Sequence, residues 1–91
     1  MDATMAMVVI DHNGRTAILI RQTQCAVHVV EMAAGELVLR RMTEDEFAGR
    51  GFRTLDYPLA RALATFARHA GGVSEAARAA LEAAREQCAA N

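Results

Sequence analysis

Residues 5–21 read MAMVVIDHNGRTAILIR, two apolar runs on either side of Asn13-Gly14. Asn-Gly between alternating apolar runs is the strongest short-range signature of a two-residue type I′ hairpin, because both central residues need positive φ. Centring the turn there predicts cross-strand pairs His12 with Arg15, Ile10 with Ala17, and Val8 with Leu19.

The same reading extends outward along the chain. A polar break at Thr23-Gln24 opens a third run, CAVHVVEM, and Ala33-Ala34-Gly35 turns into a fourth, ELVLRRM. Three short connections predict a four-stranded antiparallel meander over about 5–12, 15–22, 25–32 and 36–42. Beyond residue 42 the period becomes helical. Thr43-Glu44-Asp45-Glu46 is a capping box, with Met42 and Phe47 spaced as a hydrophobic staple, and Gly49 limits that turn of helix to 43–49. Asp56-Tyr57-Pro58 opens a helix over about 58–70 with the apolar stripe Leu59, Leu63, Phe66 and Ala70. Gly71-Gly72 ends it. Ser74 caps a last helix over about 74–89, whose stripe is Ala77, Ala80, Leu81, Ala84 and Cys88. The expectation is one α+β domain spanning 1–91, with both C-terminal helices packed on one face of the meander.

Composition sets the class. The chain has 91 residues, 53% hydrophobic and 23% charged, with a formal net charge of −1. Disorder is excluded, and a generic polyanion binder would be distinctly basic. Twenty residues are Ala and all ten cations are Arg, which reads as coding bias. No run approaches the length of a membrane span, and Asp2 occupies the place of a basic leader, so a cytoplasmic location is expected.

Propagating the hairpin register sorts the strands into two faces. Met7, Val9, Ile18, Ile20, Val27, Val29, Leu37 and Leu39 fall on one, expected beneath the helices. The other collects Ala6, Val8, Ile10, Ala17, Leu19, Ala26, Val30 and Val38, with His12, Arg15, Arg21, His28 and Arg40 at its margins. A sheet apolar on both sides needs cover on both. On this reading the two long helices cover one side and nothing covers the second.

Few side chains suggest chemistry. Cys25-x-x-His28 has the spacing of half a metal site, but residues three apart on a strand point to opposite faces, so no metal site is expected. Cys25 and Cys88 are both expected to face the core as small apolar groups. His69 is explained by the helix C-terminus it sits near. No nucleophile signature, paired carboxylates or phosphate-cradling loop is present, and Gly49-Arg50-Gly51 lacks the Lys-Ser/Thr that a P-loop requires. The expectation is a protein without enzymatic activity and without a cofactor. The helices around Gly71-Gly72 are spaced like a helix-turn-helix, but the second presents Glu75, Glu82 and Glu86 against Arg78 and Arg85, a poor surface for phosphates.

Two binding surfaces follow from these patterns. The first is a protein interface, self-association being the simplest form, with Val8, Ile10, Leu19, Val30 and Val38 at its centre and Arg21, His28 and Arg40 at its rim. The second reading takes the Arg-rich stretch 40–68 as a nucleic-acid or regulatory surface, with Arg41, Arg50, Phe52 and Arg53 as contacts. No membrane partner is expected.

Overall fold

A computed structural model describes residues 3–90, and the side chains of 6–84 and 86. Four strands form the meander: β1 (Ala3–Ile10), β2 (Thr16–Gln22), β3 (Val27–Ala33) and β4 (Glu36–Met42). They are followed by α1 (Glu44–Gly49), β5 (Arg53–Thr54), α2 (Leu59–His69), β6 (Gly72–Val73) and α3 (Glu75–Ala90). The α+β architecture, the meander and the helix positions are those the sequence predicts. The two short edge strands are additions: β5 pairs antiparallel with β1 and β6 parallel with β4, giving the order β5-β1-β2-β3-β4-β6.

The first hairpin departs from the expected register by one residue. Ile10 pairs with Thr16, Val9 with Ala17, Val8 with Ile18 and Met7 with Leu19. Asp11 is the cause. Its Oδ1 accepts from the backbone N–H of both Asn13 and Arg15, each at 2.9 Å, and its own N–H donates to the Arg15 carbonyl at 3.0 Å. The loop therefore holds three residues, with Gly14 left-handed at φ 81°, in place of a two-residue type I′ turn. A slip of one residue moves every side chain of a strand to the other face.

β1 accordingly turns over relative to the prediction, and so does β3. Between Leu19 and Arg21 the β2–β3 register shifts at a bulge, and Ile18 pairs with Val30 and Leu19 with Val29. Ile18, Ile20 and Leu37 lie beneath the helices as expected, and are joined there by Val30 in a buried cluster with Phe66, Ala77 and Ala84. Leu39, Leu59, Leu63, Ala70, Ala80 and Leu81 pack against that cluster, so both helical stripes face the sheet where they are described. Cys88 lies outside the described side chains. Cys25 is exposed, contrary to the expectation of a core position, because the strand starts two residues later than predicted. Thr23 to Ala26 is a turn in which the Thr23 hydroxyl accepts from the N–H groups of Cys25 and Ala26.

The second face is covered. Val9, Ala17, Leu19, Val27, Val29 and Met42 form a second buried cluster, and Met7, Phe47 and Phe52 pack against it. Phe47 comes from α1 and Phe52 from the segment leading into β5, and their rings stack with centroids 4.8 Å apart. The capping box at Thr43 and Glu46 forms in both directions and fixes where α1 begins. That turn of helix, short as expected, helps to roof the second core through Phe47. Tyr57 is the only large apolar side chain exposed among the described residues.

Candidate binding surface

Two acidic side chains are buried in the second face, Asp11 and Glu31, each with 4% of its surface accessible. Arg50 bonds to both of them. Nη1 of Arg50 donates to both carboxylate oxygens of Glu31, at 3.0 and 2.8 Å, and its Nη2 donates to Oδ2 of Asp11 at 2.9 Å. Arg40 approaches the same Glu31 carboxylate with Nε at 3.3 Å. The Arg50 guanidinium also sits 4.6 Å from the centroid of the Phe52 ring. Buried carboxylates without a cation would be strongly unfavourable, so this knot is the electrostatic counterpart of the aromatic roof. The Arg15 and Asn13 N–H groups and the Arg50 guanidinium hold the Asp11 carboxyl below the ordinary carboxylate range. The Glu31 and Asp11 carboxylates push the Arg50 guanidinium upward, so it stays charged.

The backbone around Arg50 is equally constrained. His12 N–H donates to the Arg50 carbonyl at 2.9 Å, and the His12 ring Nδ1 contacts the same oxygen. Gly51 follows with φ 68°, and a Cβ there would lie 3.1 Å from the Cβ of His12. Glycine meets both requirements at that corner.

These placements divide the expected interface. Val8 and Val30 are buried on the helix face, with Val8 beside Ala62 and Thr65 of α2, while Leu19 is buried on the second face. Val38 and Ile10 are half-buried, and Ile10 pairs with Arg53. The eight residues therefore make no single patch. Their grouping assumes a two-residue turn, which Asp11 prevents, and an unbroken β2–β3 register, which the bulge beyond Leu19 shifts. The Arg-rich stretch also disperses. Arg50 is held by Glu31 and Asp11, Phe52 is half-buried against Phe47, Arg53 lies on β5, and Arg41 lies on β4. Three strands separate β5 from β4 in the sheet.

The structure does bring together residues from both expected surfaces. Arg21 pairs with His28, and His28 with Arg41, so the three occupy one row across β2, β3 and β4. Beside that row, between the sheet and α3, is a cavity of about 290 Å³ lined by Ile20, Arg21, His28, Leu39, Ala80, Ala83 and Ala84. Nδ1 of His28 is buried and has no hydrogen-bond partner among the described residues.

β4 is also an incompletely paired edge. β6 pairs with it at Glu36 and Leu37, and Ser74 N–H donates to the Leu37 carbonyl at 2.9 Å. Among the described residues the ladder stops there. Leu37 bonds outward, so the alternation of an antiparallel strand also turns the N–H and C=O groups of Leu39 and Arg41 away from β3. Arg40 and Arg41 are exposed on opposite faces of this edge.

Asp11 and Glu31 were missed as organising residues, although both left a signal. Asp-His-Asn-Gly fits a type I turn, with Asp first and Gly fourth. An acid inside the apolar run VHVVEMA must find a cation or stay out of the sheet. Among the described residues no cluster of three or more His, Cys, Asp or Glu side chains is placed to hold a metal ion, and no helix is long and apolar enough to cross a membrane. The arrangement is an α+β domain whose β4 edge, among the described residues, is unpaired beyond Leu37 and carries Arg40 and Arg41. No protein-family model, curated protein or solved structure matches the chain.

Proposed function

We propose that this chain is a protein-interaction module that takes an extended, acidic segment of a partner protein onto the open edge of β4. The observation that supports it is the edge itself: the ladder to β6 ends at Leu37, and the next exposed side chains are Arg40 and Arg41. A strand added there gains main-chain hydrogen bonds from Leu39 and Arg41, and side-chain charges on each face give it specificity. Arg40 keeps about half of its side chain exposed, 51%, while it contacts Glu31, so it can meet a second carboxylate.

Charge argues for a different chain as partner. Two copies joined β4 to β4 about a two-fold axis would bring Arg40 and Arg41 of each near those of the other, and like charges opposite one another are destabilising. Self-association through the second face has lost its support, since Phe47 and Phe52 roof the core there.

The test is titration of the labelled protein with an extended Glu/Thr-rich peptide, its Lys/Thr-rich counterpart serving as control, followed by amide NMR. The acidic peptide is expected to shift the Leu39 and Arg41 amides, and an Arg40→Glu/Arg41→Glu double variant to reverse the preference. Absence of shifts at millimolar peptide overturns the reading. So does equal response to both peptides, which assigns the two arginines to guarding the edge against pairing.

A further inference from the structure

We propose that the cavity beneath α3 is a binding site for a small amphipathic anion, a monocarboxylate with an unbranched apolar tail. This site touches the β4 edge at Leu39, and its other lining residues, Ile20, Arg21, His28 and the three alanines of α3, lie away from that edge. Its shape follows from the sequence. Among the described side chains α3 presents Ala80, Ala83 and Ala84 toward Ile20 and Leu39, and their methyl groups leave space between helix and sheet. The space of about 290 Å³ is at the small end of ligand pockets.

The chemistry of the lining is divided along the strands. Ile20 and Leu39 supply apolar surface, and the Arg21–His28–Arg41 row lies immediately beyond them toward the ends of β2 and β4. A tail lying against Ile20, Leu39 and Ala80 therefore places its head toward Arg21 and His28, with Arg41 next to His28 in the same row. His28 adds an independent sign. It lines the cavity, yet its Nδ1 is buried without a hydrogen-bond partner among the described residues, a condition that costs free energy. A half-turn of the imidazole exchanges its nitrogen and carbon edges, so an oxyanion at the row can be given a ring nitrogen. Carboxylate bonds to guanidinium or imidazolium are the charge-assisted kind and favour an anionic head over a neutral or cationic one.

The experiment compares decanoate, decanol and decyltrimethylammonium, each below its micelle concentration, by calorimetry and by amide NMR. Decanoate is expected to saturate one site, shifting the amides of Ile20, His28 and Ala83, and to bind at least about tenfold more tightly than either control. His28→Gln is expected to weaken decanoate about tenfold, and Ala83→Leu, at the exposed rim, to abolish saturable binding. Ala80→Leu fills the deeper part, and Ala83→Leu preserves the test if that variant does not fold. His28 and Ala83 lie off the β4 edge, so loss of decanoate binding in their variants with acidic-peptide binding intact separates this site from the docking edge. Non-saturable uptake, equal affinity for the three head groups, or decanoate binding unchanged in Ala83→Leu overturns the proposal.

Discussion

Arg50 and Glu31 stand 19 positions apart in sequence and meet at 2.8 Å, one guanidinium nitrogen spanning both carboxylate oxygens. The contact joins β3 to the segment between α1 and β5. Phe52 lies two residues further on, so the ion pair also positions the ring that closes the second core. Charge and apolar cover are thus held by one short stretch of chain.

Removing the cation should therefore cost more than a surface ion pair does. Arg50→Ala leaves Asp11 and Glu31 buried without their main partner and is expected to lower stability by about 3 kcal/mol. Arg50→Lys keeps the charge but loses the fork that reaches both acids, and should fall between. Urea denaturation of the three proteins checks the order. A loss in Arg50→Ala below about 0.5 kcal/mol, the range of an ordinary surface substitution, would contradict the role given to the knot.

The depressed Asp11 carboxyl gives a direction for pH dependence. A group whose pKa is lower folded than unfolded stabilises the native state above its unfolded value, near 4, and that contribution is lost as pH falls through the folded value. The denaturation midpoint should therefore fall in the window below about pH 4. Asp11→Asn should start less stable at neutral pH and show a shallower acid slope. An identical slope in the variant would show that Asp11 is not the titrating group.

The β3–β4 turn carries a local strain that can be relieved. Ala34 is held at φ 52°, followed by Gly35 at φ 83°, and an Ala side chain pays for the left-handed region where Asn or Gly does not. Ala34→Asn or Ala34→Gly is expected to stabilise the domain by about 0.5–1 kcal/mol without changing the fold. Thermal unfolding decides it, and a lower melting temperature in both variants would be the contrary result.

The aromatic roof predicts a visible change in surface. Phe52→Ala removes a half-buried ring stacked on Phe47 and is expected to cost about 2 kcal/mol and to increase binding of a hydrophobic dye. Thr43→Ala, which removes the cap that starts α1, should act in the same direction by about 1 kcal/mol. If neither variant binds more dye, the second core is closed by something other than α1 and Phe52.

Much of this architecture was legible in one dimension. Four apolar runs with turn residues between them specify the meander, and Thr43-x-x-Glu46 specifies where α1 begins, because these are contacts within a few residues. The stripes Leu59, Leu63, Phe66 and Ala77, Ala80, Leu81, Ala84 likewise mark the helix faces that pack on the sheet. The faces of β1 and β3 were not legible by counting from Asn13-Gly14. One side-chain acceptor on Asp11 lengthened the loop, and one bulge beyond Leu19 shifted the next ladder.

The candidate surfaces were legible only as residues. Arg21 and His28 stood at an expected interface rim and Arg41 in an arginine-rich run, and no periodicity relates the two. Their common row exists because three strands align in a particular register.

The chain by itself determined its elements, its caps and its class, since propensity, alternation and helical period act over short separations. Folding in three dimensions decided which side of each strand is inner, that Phe47 and Phe52 close the second core, and that Arg50 answers two buried acids. Those outcomes depend on pairings between distant segments, where a shift of one residue, 3.3 Å along a strand, exchanges core for surface.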